Sequence, residues 1–282
     1  MFSLAALVPS PPILVPELGG AVARTDADPV APLREAALEA VRALDAAGEW
    51  VVVGIGDTAG SIGPGGGVGT FRGIGDTAGS IGPRDGVGTF RGFGADVRVA
   101  MSEAALLGQG DALTITGSRP SAAPDPAWPL SALIAAWLRG QAAPEAQGTA
   151  WFVEADRSAA DCVQFGASLR ASFDRDQTPV GVLVIADGSS KLTTKSPGYL
   201  NPQAAAVQED LEKALAAGDV AALLALDPEL CEEVGISGRA AYQVLAGLFA
   251  EDPAAPTSET LYQDAPFGVG YHVGLWQPGG AS

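Results

Sequence analysis

FSLAALV at residues 2–8 and WVVVGI at residues 50–55 are short apolar runs, and a segment of helical character, PVAPLREAALEAVRALDAAG at 29–48, lies between them. Runs of this length and composition are typical of buried strands. Apolar residues of the middle segment recur as on one face of a helix, at Leu33, Ala37, Val41 and Leu44. A strand, a helix and a strand within about 50 residues predict a βαβ unit, which requires parallel strands.

The same alternation of strands and helices continues along the chain. It predicts an α/β fold with a central, mostly parallel or mixed sheet flanked by helices on both faces, built as a single domain over residues 1–282. The further helices are predicted at 130–138, 158–173, 202–217, 220–226 and 237–249, and the further strands at 95–101, 111–116, 150–154, 180–186, 259–263 and 268–276.

Composition excludes two classes of partner. Of the 282 residues, 33 are acidic and 16 are basic, for a net charge of −17, and so acidic a surface repels nucleic acid and anionic membranes. No apolar run approaches the roughly 20 residues that a membrane-spanning helix needs, and the N-terminal run reads as a strand rather than a signal peptide.

The two cysteines, Cys162 and Cys231, have no metal or redox spacing. We expect two reduced, buried thiols in a cytoplasmic protein.

A tandem duplication follows the second predicted strand. GIGDTAGSIGPGGGVGTFR at 54–72 is repeated as GIGDTAGSIGPRDGVGTFR at 73–91. Two copies are too few for a solenoid, whereas a surface loop tolerates an insertion of this length. The glycine spacing, G-x-G-x-x-x-G, differs from the dinucleotide-binding fingerprint. We therefore interpret the copies as an extended loop, which could also contact a protein partner.

Four stretches carry a resemblance to a known family. They are ALVPSPPILVPELG at 6–19, GDTAGS at 56–61, VLVIADGSSKLT at 182–193 running on into PGYLNPQAAAVQEDLEKALAAGD at 197–219, and LDPELCEEVGISGRAAYQVLAG at 226–247. In this order they resemble the B-subunit-like branch of the class III extradiol dioxygenases, which are non-haem Fe(II) enzymes that open catechol rings. The resemblance implies their α/β fold and, since members often pair subunits, a homodimer.

The residues that would perform this chemistry are replaced. The resemblance implies two histidines and one carboxylate on Fe(II), with a further histidine as acid or base. The histidine ligands correspond here to Ser10 and to Thr58 (or Thr77 of the second copy), the carboxylate to Ala240 or Ala241, and the catalytic histidine to Ser190. The whole chain contains one histidine, His272. The degenerate pocket positions therefore predict no bound iron, no cofactor and no confident catalytic residue.

Other polar residues near these positions leave alternatives open. Carboxylates there could hold Mg²⁺ or Mn²⁺ or hydrogen-bond their own turns; they are Glu17, Asp57, Asp76 and Asp187. Ser189 or Ser190 could act as a nucleophile with Lys191 or His272 as base. A small anion pocket could form from Arg239, Lys191 and Lys195. His272 reads as a half-buried strand residue, a lone base, or a metal ligand shared across a dimer.

These observations favour a protein without catalysis over an enzyme. The leading hypothesis is a dioxygenase-fold protein that binds a small molecule or a protein. The alternative is a redirected metal-dependent oxidoreductase or hydrolase that uses carboxylates or serines in the old pocket. A third hypothesis is an interaction protein that binds its partner through the duplicated loop.

Overall fold

The computed structural model describes residues 1–21, 23, 28–44, 47, 49–56, 80–81, 86–107 and 123–279. Most of the duplicated segment lies outside these ranges, together with Asp57, Thr58, Asp76 and Thr77. The predicted strand at 111–116 also lies outside them.

A seven-stranded mixed sheet forms the centre of the described structure. Its strands are β1 Phe2–Val8, β2 Glu49–Ile55, β3 Ser80–Ile81, β6 Gln147–Val153, β7 Val180–Ile185, β8 Thr257–Asp264 and β9 Tyr271–Gln277, and a separate two-stranded sheet pairs β4 Gly88–Thr89 with β5 Arg98–Val99. The strand order in the central sheet is β3-β6-β2-β7-β1-β9-β8. The four strands β6, β2, β7 and β1 are mutually parallel, while β3, β9 and β8 run antiparallel to their neighbours.

Helices cover both faces of the central sheet, so the predicted fold class is confirmed. Alternate side chains of each strand point to opposite faces, and each face has its own apolar core. One core includes α1 Ala31–Leu44 and α3 Leu130–Ala142; the other includes α4 Ala159–Phe173, α5 Ala204–Ala217, α6 Val220–Leu224, α7 Pro228–Val234 and α8 Arg239–Phe249. A short α2, Glu103–Leu107, and two 3-10 turns, Pro12–Leu14 and Phe90–Phe93, complete the described helices.

Glycines allow α4 and α8 to lie against each other closely. A Cβ atom at Gly166 of α4 would lie 2.9 Å from the Cα of Gly247 and would also collide with the carbonyl oxygen of Val244, both on α8. Real Cβ atoms do not approach backbone so closely, so hydrogen is the only side chain that fits. The backbones of the two helices are therefore in direct contact at this point.

The predicted elements differ from the observed ones in several places. Strands β3 and β4 lie within the second copy of the duplication, which was interpreted as an extended loop, and β3 pairs with β6 at the edge of the central sheet. The strand predicted at 95–101 is only the two residues Arg98–Val99, outside the central sheet. Helices α2 and α7 were not predicted. In the part of the chain that the structure describes, no helix combines the length and the apolar character that crossing a bilayer requires.

Candidate functional site

The carboxyl ends of the parallel strands meet at one edge of the sheet. Val8 of β1 and Gly54 of β2 both pair with Ile185 of β7, and Ile55 pairs with Val153 of β6. Ligands of open α/β sheets bind outside this edge. The segments that follow these strands therefore form the candidate site.

Ser10 and Asp187 bond to each other at this edge. The backbone N–H of Ser10 donates to Oδ1 of Asp187 at 2.9 Å, and the Ser10 hydroxyl donates to Oδ2 at 2.5 Å. Burial raises the pKa of Asp187, and the two hydrogen bonds from Ser10 oppose that rise. Both oxygens of the carboxylate thus have a partner, and the hydroxyl at the first histidine position is already used.

The turn after β7 binds the carboxyl end of α7. Ser189 is fully buried and Ser190 partly buried. The hydroxyl groups of both serines and the ammonium group of Lys191 donate to successive backbone carbonyls where α7 ends. The positive charge of Lys191 is favourable there because the helix dipole is negative at that end. Ser189 Oγ donates to Val234 O at 2.5 Å, Ser190 Oγ to Gly235 O at 3.3 Å, and Lys191 Nζ to Glu233 O at 2.8 Å.

A buried glutamine fixes the same turn from the other side. Gln208 of α5 accepts a hydrogen bond from the backbone N–H of Ser189 at 2.8 Å and donates to Glu212 at 2.8 Å. Its amide lies against Gly188 and Gly270, where a Cβ atom would collide with it. The backbones of these two glycines also bond, Gly188 N–H to Gly270 O at 3.0 Å. The turn is therefore rigidly positioned.

His272 lies inside the protein rather than at the half-buried position that we expected. It is 3% exposed, and its Nδ1 atom is buried without a hydrogen-bond partner in the structure as described. Burial lowers the pKa of His272 to about 4, so its imidazole is neutral at pH 7. The side chain belongs to β9, opposite Gln263 of β8.

A cavity of about 420 Å³ opens beside this turn. Two of the residues singled out from the sequence, Ser190 and Arg239, line it together. The remaining lining comes from the segment after β6, from α7 and from the loop before α8: Ala155, Asp156, Pro228, Glu229, Cys231, Glu232, Gly235, Ile236 and Ser237. Burial raises the pKa of the Cys231 thiol to about 11, so Cys231 is not a nucleophile at neutral pH.

Arg239, at the first position of α8, is 3% exposed. Its guanidinium donates to the carbonyl oxygen of Arg157 at 2.6 Å, to that of Ala155 at 2.5 Å and to Oε1 of Gln243 at 2.9 Å, and it also lies within reach of the Cys162 thiol. No carboxylate forms an ion pair with it among the described residues. Arg239 is therefore a buried cation held by neutral groups.

The residues that the resemblance places at the iron ligands and at the catalytic histidine do not fit Fe(II) chemistry. The Ser10 hydroxyl is bonded to Asp187, Ser190 bonds backbone, and Ala240 is a fully buried alanine with no donor atom. Thr58 lies outside the described residues. With one histidine in the sequence, a single chain cannot supply two imidazole ligands.

The other predicted positions do not gather around the cavity. Glu17 is exposed and Asp187 is bonded to Ser10, and neither lines the cavity. Because Asp57 and Asp76 lie outside the described residues, a metal site built from these carboxylates stays a prediction. Over the described ranges, no group of three or more His, Cys, Asp or Glu side chains is placed to hold a metal. Lys191 is bonded to backbone, and Lys195 is exposed. Of the three predicted anion-site cations, only Arg239 lines the cavity.

The site also contains residues that sequence reasoning missed. Cys231, Glu229 and Glu232 line the cavity from α7, a helix that was not predicted. The sequence does contain the start and stop residues of this helix, namely Asp227, Pro228 and Gly235. In the structure Asp227 is the N-cap and accepts from two backbone N–H groups, Pro228 follows it, and Gly235 ends the helix in the left-handed conformation.

Comparisons with known proteins support the fold alone. No family model matches the chain, and no curated protein matches it. Among solved structures, the chain is similar to the crystal structure of the uncharacterized protein JW3007 from Escherichia coli K12, with a TM-score of 0.50 and 12% identity over 97% of this chain and 99% of that chain. The structural similarity shows a shared α/β fold, and at this low identity it shows nothing beyond the fold.

Proposed function

We propose that this protein binds a small molecule without transforming it, on a scaffold descended from the class III extradiol dioxygenases. The observation that carries the proposal is the cavity of about 420 Å³ lined by Ser190 and Arg239. Ligand pockets commonly measure about 300–1,000 Å³ and contain a few polar groups among apolar ones. This cavity has that size, and its lining combines apolar residues with a larger share of polar and charged ones.

The chemistry of the lining supports binding over catalysis. Ser190 donates to a backbone carbonyl, so no described base accepts its proton. The thiol of Cys231 is held in its neutral form by burial. His272 is 3% exposed and does not line the cavity. Arg239 places a positive charge and N–H donors at the cavity, which can hold an anionic ligand.

A cytoplasmic location is part of this proposal, and the two cysteines support it. Cys162 and Cys231 are both free and both buried, and unpaired thiols are usual where the cell keeps cysteines reduced. Pairing of two chains into a homodimer stays a prediction from the family resemblance.

The proposal is tested first by metal content and by turnover. Full-length protein purified without chelator is analysed for Fe, Mn, Zn and Mg, then supplied with Fe(II) anaerobically and assayed with catechol and protocatechuate in air. We expect no stoichiometric metal and no absorbance from a ring-opened product. Ring cleavage that depends on added Fe(II) would refute the proposal. Binding is then sought by ligand-observed NMR with a library of small molecules.

A redirected enzyme is the second candidate, and Asp187 is the observation that favours it. A carboxyl group with a raised pKa at the ligand-binding edge of an α/β sheet is typical of general acids and bases. One tightly held Mg²⁺ or Mn²⁺ per chain, lost in an Asp187→Asn variant, would favour this candidate over the first.

A further inference from the structure

The charges around the cavity are separated by depth. The floor contains the positive guanidinium of Arg239, which is 3% exposed. The rim contains three exposed carboxylates, those of Asp156, Glu229 and Glu232. A ligand that fills the cavity therefore meets a positive charge at its inner end and negative charges at its outer end.

From this separation we propose that the cavity takes a small dipolar molecule with an anionic group at one end, directed at Arg239, and a cationic group at the other, directed at the acidic rim. The inference rests on the proposed small-molecule function and names the class of ligand.

The floor is suited to a carboxylate. Arg239 uses three of its five N–H donors on the two backbone carbonyls and the side chain of Gln243; the Cys162 thiol is a weak fourth partner. A buried cation without a counter-ion is costly, and an anion bound nearby would offset that cost.

The start of α8 strengthens the same end of the cavity. Gly238 is the N-cap of this 11-residue helix and offers no side-chain hydrogen bond to the first turn. The leading backbone N–H groups of a helix have no partner within it and carry partial positive charge. Because Ser237 and Arg239 on either side of Gly238 both line the cavity, these N–H groups add to the positive potential of its floor.

The rim is suited to an ammonium or a related cation. Glu229 and Glu232 are three residues apart on α7 and so lie on one side of that helix, while Asp156 follows β6. None of the three forms an ion pair with another described residue. Their carboxylates are thus available to a ligand.

Ligands with one kind of charge match the cavity less well. A plain anion such as phosphate would bring its charge past three carboxylates, while a plain amine would meet the guanidinium at the floor. A molecule with both charges satisfies both ends at once, because each charge lies beside the opposite one. Discrimination by such complementarity is a common source of specificity.

A chain-length series of amino carboxylates tests the inference. Glycine, β-alanine, 4-aminobutanoate and 6-aminohexanoate are titrated against the full-length protein by ligand-observed NMR, each beside the carboxylate and the amine of matched length. We expect one amino carboxylate to bind at least about tenfold more tightly than either singly charged analogue. The length that binds best reports the distance between floor and rim.

Two sets of exposed substitutions separate the local effect from net charge. The test variant is Asp156→Asn, Glu229→Gln and Glu232→Gln combined; the control combines Glu35→Gln, Glu39→Gln and Glu259→Gln, which are also exposed but lie on α1 and β8. Each set changes the net charge equally. We expect the rim variant to weaken binding about five- to tenfold and the control less than about twofold.

Blocking the cavity shows where the ligand binds. Ser237 is exposed at the mouth, so a Ser237→Trp variant should fold and should abolish binding of the amino carboxylate. Three outcomes would overturn the inference. They are equal affinity for a singly charged analogue, an unchanged affinity in the rim variant, and no binding of any amino carboxylate at millimolar concentration. If Ser237→Trp instead blocked a neutral or singly charged molecule, this inference would fail while the proposed binding function would stand.

Discussion

Lowering the pH from 7 to 5 should destabilise the protein through His272. Burial lowers the pKa of this side chain from 6.5 to about 4, so the folded protein takes up the proton less readily than the unfolded chain. Protonation of His272 therefore favours the unfolded state. The free energy of unfolding is highest above pH 6.5, where His272 is neutral in both states, and it decreases as the pH falls toward 4. At pH 5 the loss amounts to about 2 kcal/mol in the free energy of unfolding.

The assay is urea denaturation at pH 7 and pH 5, followed by fluorescence of the five tryptophans. His272→Leu is the control, because leucine has a similar volume, does not titrate and removes the unpartnered Nδ1 atom. The chain has no other histidine, and the carboxyl groups, including that of Asp187, are the same in both proteins. We expect the variant to lose about 2 kcal/mol less than the unsubstituted protein. An equal loss in both proteins would show that His272 does not sense this pH range.

Gly166→Ala should destabilise the protein by about 1–3 kcal/mol in urea denaturation, because its Cβ atom collides with the backbone of α8. Gly140→Ala, where α3 leaves open space around the new Cβ atom, should instead stabilise by about 0.5–1 kcal/mol; similar effects at both glycines would contradict the close helix contact. Ser10→Ala should raise the pKa of Asp187 further, because the carboxylate loses the hydroxyl donor at 2.5 Å. A ¹³C NMR titration of the Asp187 carboxyl carbon measures this shift, and an unchanged pKa would mean that the Ser10 hydroxyl does not stabilise the charge.

Local pattern predicted the parallel strands of the sheet well because they are short and mostly apolar. Residues 2–8 were predicted as a strand and are β1, and 180–186 correspond to β7. The predicted strand at 95–101 failed because only Arg98–Val99 has a pairing partner, which lies in a separate sheet. Strand propensity cannot show which partner is within reach.

The site was less predictable because it depends on contacts between distant parts of the chain. Ser190 and Arg239 were both identified from the sequence, but as members of different hypotheses. They share a cavity because the turn after β7 bonds to the end of α7, as in the hydrogen bond from Ser190 N–H to Gly235 O. The packing of Gln208 between Gly188 and Gly270 likewise has no local signal.

The packing of α8 bears on the evolution of the fold. Ala240 and Ala241 are fully buried among apolar side chains, and the close approach at Gly166 and Gly247 leaves no free space between α8 and α4 at that contact. On the proposed ancestry, replacing either alanine with glutamate would force extra volume and an unpaired charge into a filled core, at a cost of several kcal/mol. A lineage that made this step would lose stability before recovering any affinity for metal. On that proposed ancestry, the loss of the iron site would be hard to reverse by a single substitution.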